Sequence, residues 1–267
     1  MIENIDRRVL AGFRCVDAIT GGSILEALTV SAAPLVLRRN HSGVFAVMDA
    51  PGFTALTTQF LAPAANSWPS PATFEITIED PALRYLSRRA TISAPQPLPV
   101  VPPPVGSAPT TTAPAGPAPL APVTTPQTIV LYPTPAAPLA PNWAVVRVAI
   151  VSNATPPAPL PWAVIQVLGA GSPSPAGLTN QNGEALLAVQ GLGLSLSSNT
   201  TGAVTETTTT ATVTAWFDPS SLNKPKGWIP NPDDILLNLS SSQWKSVSQP
   251  VQLSPGQTVF VTLTISL

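Results

Sequence analysis

The sequence predicts an all-β protein, built as two small β-sandwich domains joined by a long Pro-rich linker. Three observations carry that reading. Short segments alternate apolar and polar side chains, the period of a half-buried strand. Clusters of Asn, Gly, Pro and Ser separate them, the residues that turns favour. Between Ala94 and Thr128 the composition changes to Pro, Ala, Val and Thr, and proline, lacking an amide donor and with φ fixed, excludes both helix and central strand there. The expected domains are residues 1–93, a Pro/Ala/Thr-rich linker or arm over 94–141, and a second sandwich over 142–267.

In chain order, Arg8 to Asp17 reads as a strand ended by the Thr20-Gly21-Gly22 turn, followed by short strands over Ile24 to Ser31 and Leu35 to Arg39. The turn Asn40-His41-Ser42-Gly43 launches Val44 to Met48. Further strands are expected over Thr54 to Phe60, Phe74 to Glu79 and Arg84 to Ile92, with Phe74, Ile76 and Ile78 on one face and Glu75, Thr77 and Glu79 on the other. Arg84, Arg88 and Arg89 are expected on a solvated face, with Glu75 and Glu79 in reach. At about 3.1 Å per residue, a polyproline-II run as long as the Pro-rich stretch reaches on the order of 100 Å. Ile129 to Tyr132 is an apolar island suited to an edge strand.

The second domain centres on Trp143 to Gly191, with strands over Val145 to Val151, Ala163 to Leu168 and Glu184 to Val189. The last starts from Asn180-Gln181-Asn182-Gly183, a turn whose Asn and Gly both tolerate positive φ. It repeats the layout of Asn40 to Gly43, and Phe13 to Asp17 matches Val148 to Ser152 as the entering strand, so a weak internal duplication is expected. A Thr-rich strand spans Val204 to Phe217; a long loop, Asp218 to Asp234, follows, with Asp233 placed to cap a helical turn through Leu236. Lys245 to Leu253 and Gln257 to Leu267 are expected as a closing hairpin over Ser254-Pro255-Gly256.

Charged residues are only 9% of the 267, with 12 Lys and Arg against 13 Asp and Glu. With no excess of positive charge to neutralise phosphates, nucleic acid and anionic membranes are poor partners. A single cysteine, Cys15, excludes an intrachain disulfide and a cysteine-based zinc site. The N-terminus lacks the apolar core of a secretory signal and no run approaches a membrane span, so cytoplasmic folding is expected, with any route to the outside by lysis or as cargo of a particle.

His41 is the only histidine, so a nucleophilic triad would have to use it beside Cys15, Ser42 or Asp49, yet it falls in an ordinary turn. Asp218, Asp233 and Asp234 lack the alternating acidic loop with central glycine of a calcium hand. No catalytic, cofactor-binding or metal-ligating residue is therefore assigned, and the expectation is a protein that is not an enzyme and uses no cofactor. Trp68, Trp228 and Trp244 fall in or beside loops and are the candidate contact residues, for protein or for stacking on sugars. Trp143, Trp162 and Trp216 are expected in strands as packing residues.

Two resemblances follow from particular residues. Val146-Arg147-Val148, Pro161 to Val167 and Leu178 to Ala185 resemble the carboxypeptidase regulatory-like, transthyretin-type sandwich, which implies a non-catalytic module. Over the whole chain, Ile2 to Arg8, Ala11 to Arg14, Val16 to Ala18, Arg39 to Gly43, Phe217-Asp218-Pro219 and Pro230 to Asp234 are similar to components of extracellular contractile injection systems, which are phage-tail-like particles. That resemblance implies a structural subunit at the baseplate or central spike tip, with other spike or baseplate proteins as partners. The chain lacks the histidines and cysteines of a metal-bearing spike apex. The alternative readings are a surface adhesin or carbohydrate-binding β-sandwich protein, and an accessory β-domain protein of a hydrolase complex with a separate catalytic subunit.

Overall fold

The computed structural model describes residues 9–54, 70–96, 125–170, 176–192, 196–198, 204–206, 208–225, 227–237, 239 and 243–267. The expected strand after Thr54, most of the Pro-rich stretch and Trp68 lie outside the described residues. The described chain is all-β. In order it carries β1 (Ala11–Asp17), β2 (Thr29–Ser31), β3 (Val36–Arg39), β4 (Val44–Asp49), β5 (Ala72–Glu79), β6 (Arg88–Ala94), β7 (Gln127–Leu131) and β8 (Ala144–Ser152). There follow β9 (Val164–Leu168), β10 (Ala176–Leu178), β11 (Glu184–Val189), β12 (Leu196–Ser198), β13 (Val204–Glu206), β14 (Thr209–Phe217), one helix α1 (Pro232–Leu237), β15 (Lys245–Leu253) and β16 (Thr258–Ile265). Among the described residues no helix is long and apolar enough to cross a membrane.

The strands form sheets ordered β3-β4-β1-β7, β2-β5-β6, β10-β9-β14-β15 and β11-β8-β16, with β12-β13 as a separate pair. The first two sheets and the second two share part of one plan, since β4-β1-β7 recurs as β11-β8-β16 and β2-β5-β6 as β9-β14-β15, although β3 pairs with β4 and β10 with β9. The register repeats too. Arg14 lies opposite Val44, and Ala149 lies opposite Glu184. This is the pairing that an alignment of Phe13 with Val148 and of Gly43 with Gly183 requires. The two turns that launch β4 and β11 use the same device: Asn40 Oδ1 accepts the Val44 amide at 2.9 Å, and Asn180 Oδ1 accepts the Glu184 amide at 3.0 Å. Only the glycines take positive φ, 77° at Gly43 and 72° at Gly183, while Asn182 does not.

That shared plan places the Pro-rich stretch. It leaves from β6 and returns into β7, a strand of the sheet containing β1. It thus occupies the position that the short turn Ser254 to Gln257 holds between β15 and β16. In the chain the stretch therefore lies between a strand of the β2-β5-β6 sheet and a strand of the β3-β4-β1-β7 sheet. The expected closing hairpin is also corrected. Strand β16 pairs parallel with β8, from Thr258 opposite Val145 to Ile265 opposite Ser152, whereas β15 pairs with β14. The turn therefore crosses between sheets, because each strand finds its apolar partners on a different layer.

By contact, the chain divides into two compact units, residues 1–14 with 32–75 and 91–128, and residues 15–31 with 76–90 and 129–267. In the first, the rings of Phe13 and Phe45 stack at 5.0 Å across the β1-β4 pair, and the Arg39 guanidinium lies 5.1 Å from the Phe45 ring. Gln96 fastens its own segment there, accepting the Gly12 amide at 3.1 Å and donating its own amide to Leu10 O at 2.8 Å. In the second, a sandwich core joins Val146, Val148 and Ile150 of β8 and Val261, Leu263 and Ile265 of β16 to Ile165, Val167, Val213, Ala215 and Leu253 of the facing sheet. These are alternate positions along each strand, as the pleat demands.

Candidate functional site

The β14-β15 register places Phe217 opposite Lys245, so Asp218 and Trp244 leave the sheet side by side. Between them runs the 218–244 connection. Asp218 caps the 3-10 turn Pro219–Asn223: its Oδ1 accepts the Ser220 amide at 2.9 Å and its Oδ2 accepts the Ser220 hydroxyl at 2.6 Å. Lys224 then lies with Nζ 5.6 Å from the Trp228 ring centroid, a cation over an aromatic face. Trp228 and Trp244 line one cleft of about 300 Å³, together with Asp218, Ser220, Lys224, Asn231, Asp234, Ile235 and Gln243. The structure thus brings together two of the three tryptophans singled out in the sequence.

The cleft wall is held by a residue that sequence reasoning placed on a solvated face. Arg88 is 1% exposed. Its Nε donates to Arg89 O at 3.1 Å and its Nη1 to Val130 O at 2.6 Å, while Nη2 reaches Asn231 Oδ1 at 3.2 Å and Asp233 Oδ2 at 2.6 Å. The planar fork of a guanidinium suits four acceptors at once. Arg89 adds a backbone bond, its amide donating to Pro230 O at 2.8 Å. Asp233 is therefore a countercharge and not the helix cap; the cap is Asn231, whose Oδ1 accepts the Asp233 amide at 3.3 Å. Helix α1 lies with Ile235 and Leu236 against Tyr132, Val164 and Leu178. Burial raises the Tyr132 pKa above its usual value, the nearby Arg88 charge opposing the shift only in part.

A second cleft, of about 370 Å³, was not legible in the sequence. Asp17, Glu26, Arg84, Tyr85 and Trp143 line it. Arg84 binds Asp80 through two bonds, Nε to Oδ2 at 2.9 Å and Nη2 to Oδ1 at 3.1 Å, and reaches Glu26 Oε1 at 3.4 Å. Asp80 also accepts the amides of Ala82 at 3.0 Å and Arg84 at 2.9 Å. Burial raises the Asp80 pKa, but the Arg84 guanidinium and the two amides outweigh it and hold the carboxyl below the usual range. The Tyr85 hydroxyl donates to Asp17 Oδ2 at 2.8 Å, and burial, with that bond, pushes its pKa up. The turn these bonds tie puts Leu83 at φ 55° and leaves it 75% exposed. Its only sequence signal was Asp80-Pro81, a turn start.

His41 and Ser42 are exposed in the β3-β4 turn, and Cys15 is buried in β1. Asp49 accepts its neighbour's amide, that of Ala50, at 2.9 Å. Among the described residues no group of three or more His, Cys, Asp or Glu is placed to hold a metal ion. Trp216 lies in β14, but Trp143 and Trp162 sit in turns before β8 and β9, Trp162 at φ 65°. No protein-family model and no curated protein matches the chain.

Proposed function

We propose that this chain is a non-catalytic structural subunit of a phage-tail-like contractile injection particle, seated at the baseplate or central spike tip and acting by docking onto other spike or baseplate proteins. The observation that carries the docking reading is the Asp80 turn. A buried carboxylate with four hydrogen bonds holds an apolar side chain, Leu83, in a left-handed backbone conformation and in solvent. Bulky residues rarely adopt that conformation, and strain of this kind gathers where a surface is presented to something. The particle reading is further supported by the resemblance carried on Phe217-Asp218-Pro219 and Pro230 to Asp234, which the fold gathers at one end of the β14-β15 pair.

The test is co-sedimentation. The tagged chain, expressed in its native host, is recovered with large particles and its companions are identified by mass spectrometry. Sheath, tube and spike proteins at low copy number, with Leu83→Asp reducing incorporation at least tenfold and leaving the fold intact by circular dichroism, are the expected result. A chain that stays soluble and alone overturns the reading.

A further inference from the structure

The geometry points to the Trp228/Trp244 cleft as a binding site for a neutral hexose-type sugar, the exposed unit of a glycan. Pyranose rings carry two kinds of surface. One face is a patch of C–H groups, which packs on aromatic rings; the rim is a ring of hydroxyls, which need paired donors and acceptors. The cleft offers both, two indoles with carboxylates, amides, a hydroxyl and an ammonium around them. A volume of about 300 Å³ is at the small end of ligand sites and admits one or two sugar units.

Charge narrows the class. Asp218 and Asp234 against Lys224 leave the lining at a formal charge of −1, two carboxylates and one ammonium. Sialylated, sulfated or phosphorylated sugars would meet like charge, whereas neutral hexoses and N-acetylhexosamines would not. A proline-rich peptide is the competing occupant for paired aromatics. Such grooves read a ridge that donates nothing, with few polar groups around it. Here six of the nine lining residues are polar.

The site is also held in shape before any ligand arrives. Asp218 is fixed by Ser220 and Asn231 by Arg88, and Trp244 directly precedes β15. Lys224, exposed and lying over Trp228, is a flexible side chain that can move aside for a ring to stack there. Preorganisation of this kind lowers the entropic cost of binding. The proposal does not depend on particle assembly and is read on the isolated chain.

The experiment takes the purified full chain to immobilised neutral oligosaccharides of glucose, galactose, mannose and N-acetylhexosamines, beside sialylated and sulfated ones and a synthetic proline-rich peptide. The best binder is then titrated by calorimetry. The expected result is capture of at least one neutral glycan, with a single-unit Kd of roughly millimolar order. Trp244→Ala and Asp234→Ala should each weaken it at least tenfold with melting temperature unchanged. Should the tryptophan variant fail to fold, the aspartate variant carries the comparison. The proposal falls if no neutral glycan binds, if both variants bind as the parent does, or if the cleft takes the proline-rich peptide instead.

Discussion

Asp233 and Arg88 form an ion pair of unequal burial, and the inequality predicts which partner is costlier to remove. Arg88 is 1% exposed in its side chain and Asp233 is 50% exposed. Replacing Arg88 with Met removes the buried charge and leaves Asp233 free to take up water. The loss is then that of the hydrogen bonds to Val130 O, Arg89 O and Asn231 Oδ1, partly offset by the methionine's packing, about 2 kcal/mol. Replacing Asp233 with Ala strands a guanidinium among neutral acceptors, and removing one partner of a buried pair costs about 3–5 kcal/mol. Exposure of the carboxylate discounts this to about 3 kcal/mol. Asp233→Ala should therefore destabilise more than Arg88→Met, and the double variant should cost no more than Asp233→Ala alone. Urea unfolding followed by circular dichroism measures the cycle, and amide exchange at Ile235 and Leu236 reports whether α1 detaches first. An Asp233→Ala protein within about 0.5 kcal/mol of the parent, with α1 exchange unchanged, would refute the reasoning.

Two other substitutions probe the frame. An added Cβ at Gly183 would stand 2.6 Å from Ile150 O at a φ of 72°, while at Gly191, with φ 70°, it meets nothing within 4 Å. Gly183→Ala should cost on the order of 3 kcal/mol and Gly191→Ala about 1 kcal/mol, read as the difference in urea midpoints; equal costs would show that backbone strain alone matters. The pH dependence follows from Asp80, whose folded pKa lies below its ordinary value of 3.8. The stability it contributes is complete above that ordinary value and is lost as pH falls through the lowered one. Asp80→Asn should therefore flatten the acid limb of the stability curve below about pH 4, and a curve unchanged in shape would count against the Asp80-Arg84 bond as its source.

The sequence by itself determined the class of fold and most of the strands. The apolar run of Glu184 to Val189 after its Asn-Gly turn and the alternation along Val247 to Leu253 predict β11 and β15 with their observed ends, because apolar pattern and the bounding Asn, Gly and Pro are local properties. The repeated Asn-x-x-Gly turn also predicts a duplicated layout; β4-β1-β7 recurs as β11-β8-β16, while β3 and β10 join different sheets. Some local signals were misread where neighbours intervene. Ile24 to Leu28 is apolar enough for a strand, yet only the Ile24 amide reaches β1, beside the isolated Val16–Ser23 bridge, and the strand proper is Thr29–Ser31, paired with β5. Arg84 is tied to Asp80, and Tyr85 and Leu86 pair with Pro133 and Tyr132 instead, before β6 starts at Arg88.

Tertiary structure decided what pairing between distant residues decides. Nothing local to Arg88 distinguishes it from Arg89; its burial follows from Asn231 and Asp233, more than 140 residues away. The gathering of Trp228 and Trp244 depends on the β14-β15 register, and the place of the Pro-rich stretch on the partner that β7 finds beside β1. Composition shows that a segment cannot enter a sheet, but only the pairing of the strands on either side shows which sheets it connects. A charged side chain likewise becomes a buried anchor only when folding brings its acceptors around it, and sequence spacing carries no record of that.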